Sequence, residues 1–455
     1  MKLKNKKWVF ICIGVLITLL GYFLRLQQFS LYPPIGDTYD EYKAAFNGIS
    51  LIEKHVPASW SWLGGYKDFP VQKIRGVDYR IVQPWFDEPP LFSLMSGAYA
   101  MSHNMTSLGE VDAGALRYPM VKLGALNIFL LFLIIYILRN PLEAILGSLI
   151  YATEPTIILG SRLPLSDNMV TSFALISLLF LIIFIKKNQW RFLVLLGIVS
   201  GSAILLKSTA IFIPVSLILL LAACRKFKAS FYVTIFMLSA LVIWLAYGYY
   251  YDWSLFLKII SISNGRELLQ PTMINNLLNI TRIAEELRPF DGWLIWGWIA
   301  IIVYPFLQKG EDSVLSKLIL PIVTGTYLIF FAIMSGHVKG WYRYPFYPFI
   351  SWASAAFILE IIKNPRLLTS FFFITLPVSS SYVTGNGFAK FNPSQIRIYQ
   401  ILFLATMAPI MCYEIFKKTP LKIIVQSILI IALVAAIIFN ITTITSFQDN
   451  FWYRW

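Results

Sequence analysis

Residues 191–223 read RFLVLLGIVSGSAILLKSTAIFIPVSLILLLAA, an apolar run with Lys207 and Pro214 in its middle. A transmembrane helix needs about 20 apolar residues, so this run is too long for one span. A lysine at mid-bilayer is costly, whereas a lysine between two short spans lies at a surface. The run therefore reads as two spans, 191–206 and 208–223, meeting at Lys207. Working outward, apolar runs at 8–28, 119–138, 142–160, 168–185, 230–250, 292–308, 315–335, 345–362, 367–382, 399–416 and 421–445 bring the total to about 13 spans.

That count fixes the side of every loop. With the N-terminus in the cytoplasm, the inner segments are MKLKNKK, LRN at 138–140, KKNQWR at 186–191, CRKFK at 224–228, QKGEDSVLSK at 308–317, KNPR at 363–366 and KKTPLK at 417–422. Each carries Lys or Arg, as the positive-inside rule asks, and one span more or fewer would reverse every later loop. The end SFQDNFWYRW then lies outside. MKLKNKK followed by WVFICIGVLITLLGYFL has the basic and apolar parts of a signal peptide, but no small-residue cleavage site follows, so it reads as an uncleaved first span.

Composition agrees. The 455 residues are 58% hydrophobic and 13% charged, with mean hydropathy +0.68. Soluble domains carry about 25% charge, so a soluble enzyme, a nucleic-acid module and a disordered chain are all excluded. The net charge of +15 sits in the inner loops and calls for no polyanion partner. Cys12, Cys224 and Cys412 have no motif spacing and fall near cytoplasmic span ends, which argues against a disulfide framework or zinc site. With only His55, His103 and His337, no histidine metal motif appears; a carboxylate-bound divalent cation at Asp40/Glu41 is left open.

The whole of 1–455 reads as one all-α polytopic membrane domain with two long external loops, 29–118 and 252–291. Within the first, TYDEYKAAFNGISLIEKH and PPLFSLMSGAYAMS pattern as amphipathic helices lying at the membrane surface. Five short elements carry the candidate chemistry. Asp37-Thr-Tyr-Asp40-Glu41-Tyr follows the first span; a base for an acceptor hydroxyl must be a carboxylate near the membrane yet reachable from water. Acids there serve equally as a helix cap. Asp87-Glu88-Pro-Pro starts a helix at its positive end. Ser161-Arg162-Leu-Pro-Leu-Ser-Asp167-Asn168 places an arginine and an acid at the bilayer surface, where they suit an ionic site, a mutual pair or a snorkelling anchor. Lys207 suits a phosphate bound from the membrane side, or again snorkelling. His337-Val-Lys339-Gly-Trp341-Tyr342-Arg343-Tyr344-Pro345 offers cations for a phosphate and rings for a sugar, or forms an interfacial belt.

In this order and on these loops, the elements resemble the polytopic glycosyltransferases of the GT-C superfamily. The nearest groups are the dolichyl-phosphate-mannose–protein mannosyltransferases and the aminoarabinose lipid A transferases. TYDEYKAAFNGISLIEKHVPASW is similar to their acidic run after span 1, EPPLFSLMSG to their (H/K)-P-P-L segment, and LRYP at 116–119 to their arginine before span 2. SRLPLSDNM resembles the arginine–aspartate loop, LLGIVSGSAILLKSTAIFIPV the glycine-and-lysine double span, and WYRYPFYPF the late R-Y-x-x-P segment. The likeness is good over about 8–225 and looser beyond.

The resemblance implies transfer of a sugar from a polyprenyl-phosphate (dolichyl or undecaprenyl) donor to a protein, lipid or glycan acceptor outside the plasma membrane, with inversion and no nucleotide. It implies Asp40 as general base with Glu41 its neighbour, and Asp167 as a second acid. Arg162, Lys207, Arg343 and Lys339 would meet the donor phosphate; Asp37, Glu88, Asn168, Tyr342, Tyr344 and His337 would line the substrate. One departure stands out: the family's His or Lys before Pro-Pro is Glu88 here. The soluble domain that follows the last span in some members is not expected, the sequence ending at Trp455. A transporter or lipid flippase would show internal repeats and broken mid-membrane helices, and neither pattern is found. An O-antigen ligase or glycan polymerase is the rival within sugar transfer, and the long loop after span 1 argues against it.

Overall fold

The computed structural model describes residues 2–33, 40–74, 77–107, 110, 112–264, 291–307, 314–334, 340–385 and 393–446. Asp37, His337 and Lys339 lie outside the described residues. The chain opens with α1 (Lys2–Leu26), then the loop helices α2 (Asp40–Lys54) and α3 (Pro90–Ser102). The bundle continues with α4 (Ala113–Leu138), α5 (Pro141–Thr153), α6 (Pro155–Gly160), α7 (Ser166–Lys187), α8 (Trp190–Leu206), α9 (Phe212–Ala223) and α10 (Phe227–Asn264). It closes with α11 (Gly292–Leu307), α12 (Val314–Met334), α13 (Tyr347–Lys363), α14 (Leu367–Phe373), α15 (Ser379–Gly385), α16 (Pro393–Phe416) and α17 (Thr419–Thr445). Among the described residues, eight helices are long and apolar enough to cross a membrane, and five shorter apolar helices accompany them. Together they fall on the runs read as spans, and the protein is an all-α, multi-pass membrane protein.

Three breaks differ from the sequence reading, each with a local cause. The run 142–160 is two helices, because Pro155 cannot donate to the carbonyl of Tyr151. Arg25 at the end of α1 supplies that donor instead, with Nη2 3.1 Å from the Tyr151 oxygen. Glu154 caps the new helix by accepting from Ile157 N at 2.8 Å. The run 367–382 widens into a π-turn over Ile374–Val378 around Pro377. The loop assigned from 252 begins as helix: α10 kinks at Asp252 (φ −167°, ψ 99°) and runs on to Asn264.

The first long loop is also more than two helices. A small antiparallel sheet, β1 (Ser59–Trp60), β2 (Val71–Ile74) and β3 (Val77–Val82), has β3 at its centre, with Ser59 opposite Val82 and Val71 opposite Arg80. The far half of α10 covers it through Phe256 and Ile259, which bury against Tyr66, Val82, Trp85 and Phe86. Burying a phenylalanine contributes roughly 1.5–3 kcal/mol, so Phe86 and Phe256 alone give this loop a core of its own. Helices α2 and α3 cross backbone to backbone at Gly48 and Gly97: a Cβ on Gly48 would run into the Ser93 carbonyl. Any larger residue there would push apart α2, which begins at Asp40, and α3, which Glu88 precedes by two residues.

Gly64, in the same loop, has open space where a Cβ would stand. A cysteine placed there is expected to react with a membrane-impermeant maleimide in intact cells. Reaction only after the membrane is opened would overturn the N-inside, 13-span arrangement.

Candidate active site

Helix α2 begins with two adjacent acids that have opposite fates, since neighbours on a helix point about 100° apart. Glu41 turns into the protein, where Arg117 of α4 grips it with both arms of the guanidinium, Nε and Nη2 each 2.7 Å from a carboxylate oxygen. Both side chains are fully buried, and Arg117 also donates to the Phe29 carbonyl at 3.1 Å. The pair ties α2, α4 and the chain leaving α1 together. Asp40 stays partly exposed and lines a cleft with Lys43, Trp85, Glu88, Phe92, Ser166, Asp167 and Trp341.

Lys43 sits one turn beyond Asp40, its ammonium 2.9 Å from Asp87 and 3.5 Å from Asp40. The rings of Trp60 and Trp85 flank it, their centroids 5.5 and 5.4 Å away. Burial pulls its pKa down, but Asp87, Asp40 and Glu88 outweigh that and raise it, so it is a fixed cation. Asp87 also accepts from the Ser61 hydroxyl at 2.7 Å. At the other wall, Lys207 is the extended residue (φ −158°, ψ 134°) between α8 and a 3-10 turn over Ser208–Ile211. Its ammonium lies 2.6 Å from Asp167 and 4.0 Å from Glu88, and 4.4 Å from the ring centre of Tyr342. Glu88 accepts from the Ser166 hydroxyl at 3.3 Å. Burial raises its pKa to about 7 against the pull of Lys207 and Lys43, with Asp167 and Asp40 adding to the rise.

The structure therefore brings Asp40, Glu88, Asp167 and Lys207 to one cleft, with Tyr342 behind Lys207. Other residues singled out by sequence stand apart from it. Arg162 is buried and donates to the carbonyls of Leu24 at 2.8 Å and Tyr32 at 3.4 Å, binding the end of α1 to α6. Asn168 donates to the carbonyls of Gly160 and Leu163, shaping the turn before α7. Arg343 is buried near Tyr347 and Asp291, and the Tyr344 ring packs over Gly160. Glu41 and Asp40 do not converge on one ion, and no metal-type cluster of three acidic, thiol or imidazole groups occurs among the described residues. Lys43 was missed, although its place three residues after Asp40 marks it as a partner on the same helix face.

In part of its sequence and in its fold, the chain is similar to the GT-C membrane glycosyltransferases. A family model described as dolichyl-phosphate-mannose-protein mannosyltransferase matches residues 87–250, a stretch that contains Glu88, Asp167 and Lys207. No curated protein matches the chain significantly. Among solved structures, ArnT from Cupriavidus metallidurans bound to undecaprenyl phosphate superposes with a TM-score of 0.50 at 14% identity, covering 96% of this chain and 77% of that one. The oligosaccharyltransferase of Archaeoglobus fulgidus in complex with Zn and sulfate gives 0.50 at 12% identity, over 85% of this chain and 56% of that one. The chain thus spans little more than half of that protein, and at these identities the likeness is one of fold.

The Glu41–Arg117 pair yields a direct test. Glu41→Gln strands a buried guanidinium, a loss of about 3–5 kcal/mol. A marked drop in the detergent-solubilised protein's unfolding temperature is expected, with much of it recovered in Glu41→Leu/Arg117→Leu. An unchanged unfolding temperature in Glu41→Gln would remove the pair from its structural role.

Proposed function

We propose that the protein transfers a sugar from a polyprenyl-phosphate donor to a hydroxyl of a protein, lipid or glycan acceptor on the outer face of the plasma membrane. The observation that carries this reading is a cleft lined by a water-reachable carboxylate, Asp40, and by Asp167 and Glu88, the acids that Lys207 contacts from the junction of two spans. The family match over 87–250 supports the same reaction class.

The donor's tail stays in hydrocarbon while its phosphate contacts Lys207. Asp40 takes the proton of the acceptor hydroxyl, whose oxygen forms a bond to the anomeric carbon on the side opposite the phosphate. The bond from that carbon to the phosphate oxygen breaks, its electron pair leaves with the polyprenyl phosphate, and the configuration inverts. Lys207 offsets the second negative charge that the phosphate gains. Asp167 holds Lys207 in place and is itself too well paired to serve as the base.

Asp40→Asn is expected to lower transfer by about 10²–10⁴ while donor binding persists, because the phosphate contact is untouched. Near-normal turnover would remove Asp40 as the base. Lys207 needs a matched background, since its removal alone strands buried Asp167. Relative to Asp167→Asn, the double variant Asp167→Asn/Lys207→Ala should bind a short-chain donor about 10- to 150-fold more weakly, the loss of one charge-assisted contact. Equal binding by the two would make Lys207 a structural cation only.

A further inference from the structure

The cleft holds more negative than positive groups. Asp40, Asp87, Glu88 and Asp167 face two ammonium groups, Lys43 and Lys207. Asp87 takes Lys43 at 2.9 Å and Asp167 takes Lys207 at 2.6 Å, so Asp40 and Glu88 are the carboxylates in excess. Asp40 stands 3.5 Å from Lys43, and Glu88 stands 4.0 Å from Lys207. A phosphate approaching Lys207 therefore meets a carboxylate already leaning on the same ammonium.

We propose that Glu88 holds the phosphate's place on Lys207 in the donor-free protein, and that donor binding carries one proton onto its carboxyl group. The inference rests on the reading of Lys207 as the donor-phosphate contact. Two anions on one lysine repel, and protonating the more weakly held one removes the repulsion. Asp167 is held 1.4 Å closer to the ammonium than Glu88, so its charge is the better compensated of the two. Glu88 is partly exposed, and a solvent proton can reach it. Ser166 Oγ, 3.3 Å away, donates to the carboxylate and can accept from the neutral acid, so neither state is left without a partner.

The charged groups around Glu88 from each packed element are Lys207 at the α8 junction, Asp167 of α7, Asp40 and Lys43 of α2, and Asp87 beside it. Lys43 and Lys207 remain cations throughout, so the titration near neutrality belongs to Glu88. Its pKa of about 7 in the empty cleft rises further when a phosphate anion arrives. The sign follows by linkage. Below about pH 7 the acid is already neutral in both states, and affinity is flat. Above it, the bound form holds one proton more than the free form, and affinity falls about tenfold per pH unit.

The probe is a short-chain polyprenyl methyl phosphate, a diester that keeps a single charge over the whole range and so adds no titration of its own. Its binding to the full-length protein in detergent is measured by calorimetry from about pH 5.5 to 9, in buffers of different ionisation enthalpy. Wild type is expected to bind constantly below about 7, to weaken about tenfold per unit above it, and to take up close to one proton there. Glu88→Gln should bind at the low-pH level throughout, with no slope; Asp167 still balances its Lys207, so no charge is stranded. Asp40→Asn should keep the slope with its midpoint moved to lower pH, because one neighbouring anion is gone. A pH-independent wild type, or a Glu88→Gln that retains the slope, overturns the role of Glu88 while leaving the donor site standing. No binding by wild type at any pH overturns the donor reading, and this inference with it.

Discussion

Lys207 stands at a break between two apolar helices, and an ammonium there needs an anion. Asp167 supplies it at 2.6 Å, and much of the architecture serves to bring that carboxylate into reach. Asp167 is in the first turn of α7, where the helix dipole also favours a negative group. The start of α7 is fixed by the turn before it. Asn168 holds that turn by donating to two of its carbonyls, and Arg162 anchors it to the end of α1. The arginine works because α1 ends there: the Leu24 carbonyl takes a long bond from Gln27 N, at 3.3 Å, and accepts a second one from Arg162. One charge requirement thus reaches from the lysine through α7 to the first span.

A second buried pair does the same for the other wall. Glu41 and Arg117 hold each other, and Arg117 also donates to backbone, so α2 cannot rotate without pulling a buried charge from its partner. Holding Glu41 inward forces Asp40 outward, toward the cleft. The close crossing at Gly48 and Gly97 then sets the distance between the turn bearing Asp40 and the segment bearing Glu88. The adjacent acids are two functions of one helical turn: one orients, and the other faces water.

The bundle was legible because hydrocarbon leaves a strong mark: long apolar runs, with Lys and Arg in alternate loops. Lys207 was legible for the same reason, as a charge where an apolar run should be continuous. The break at Glu154 was not, although Glu154-Pro155 marks it within 142–160, because the partner that repairs the lost hydrogen bond, Arg25, is distant in sequence. The sheet in the first loop was missed because β1 has two residues and β2 is largely exposed, so neither shows a clear alternation. Arg162 was read as a surface charge because sequence cannot tell a phosphate from a helix-end carbonyl as its partner. Glu41 and Asp40 were indistinguishable by type, and only Arg117, far along the chain, separates them.

A shared fold does not carry its chemistry with it, and at 12–14% identity the solved relatives speak to architecture alone. What this chain does must be argued from its own cleft. There the acid at position 88 bears directly on what Lys207 can hold. A cation at that place would add attraction for a phosphate, whereas Glu88 adds repulsion and takes a share of Lys207. Lys43 does not offset it, since Asp87 and Asp40 already claim that ammonium. Under the proposed donor site, an anion next to Lys207 is favoured when a neighbouring carboxylate gives up its charge. Of the two carboxylates in excess, Glu88 is the one that leans on Lys207, and it is open to water.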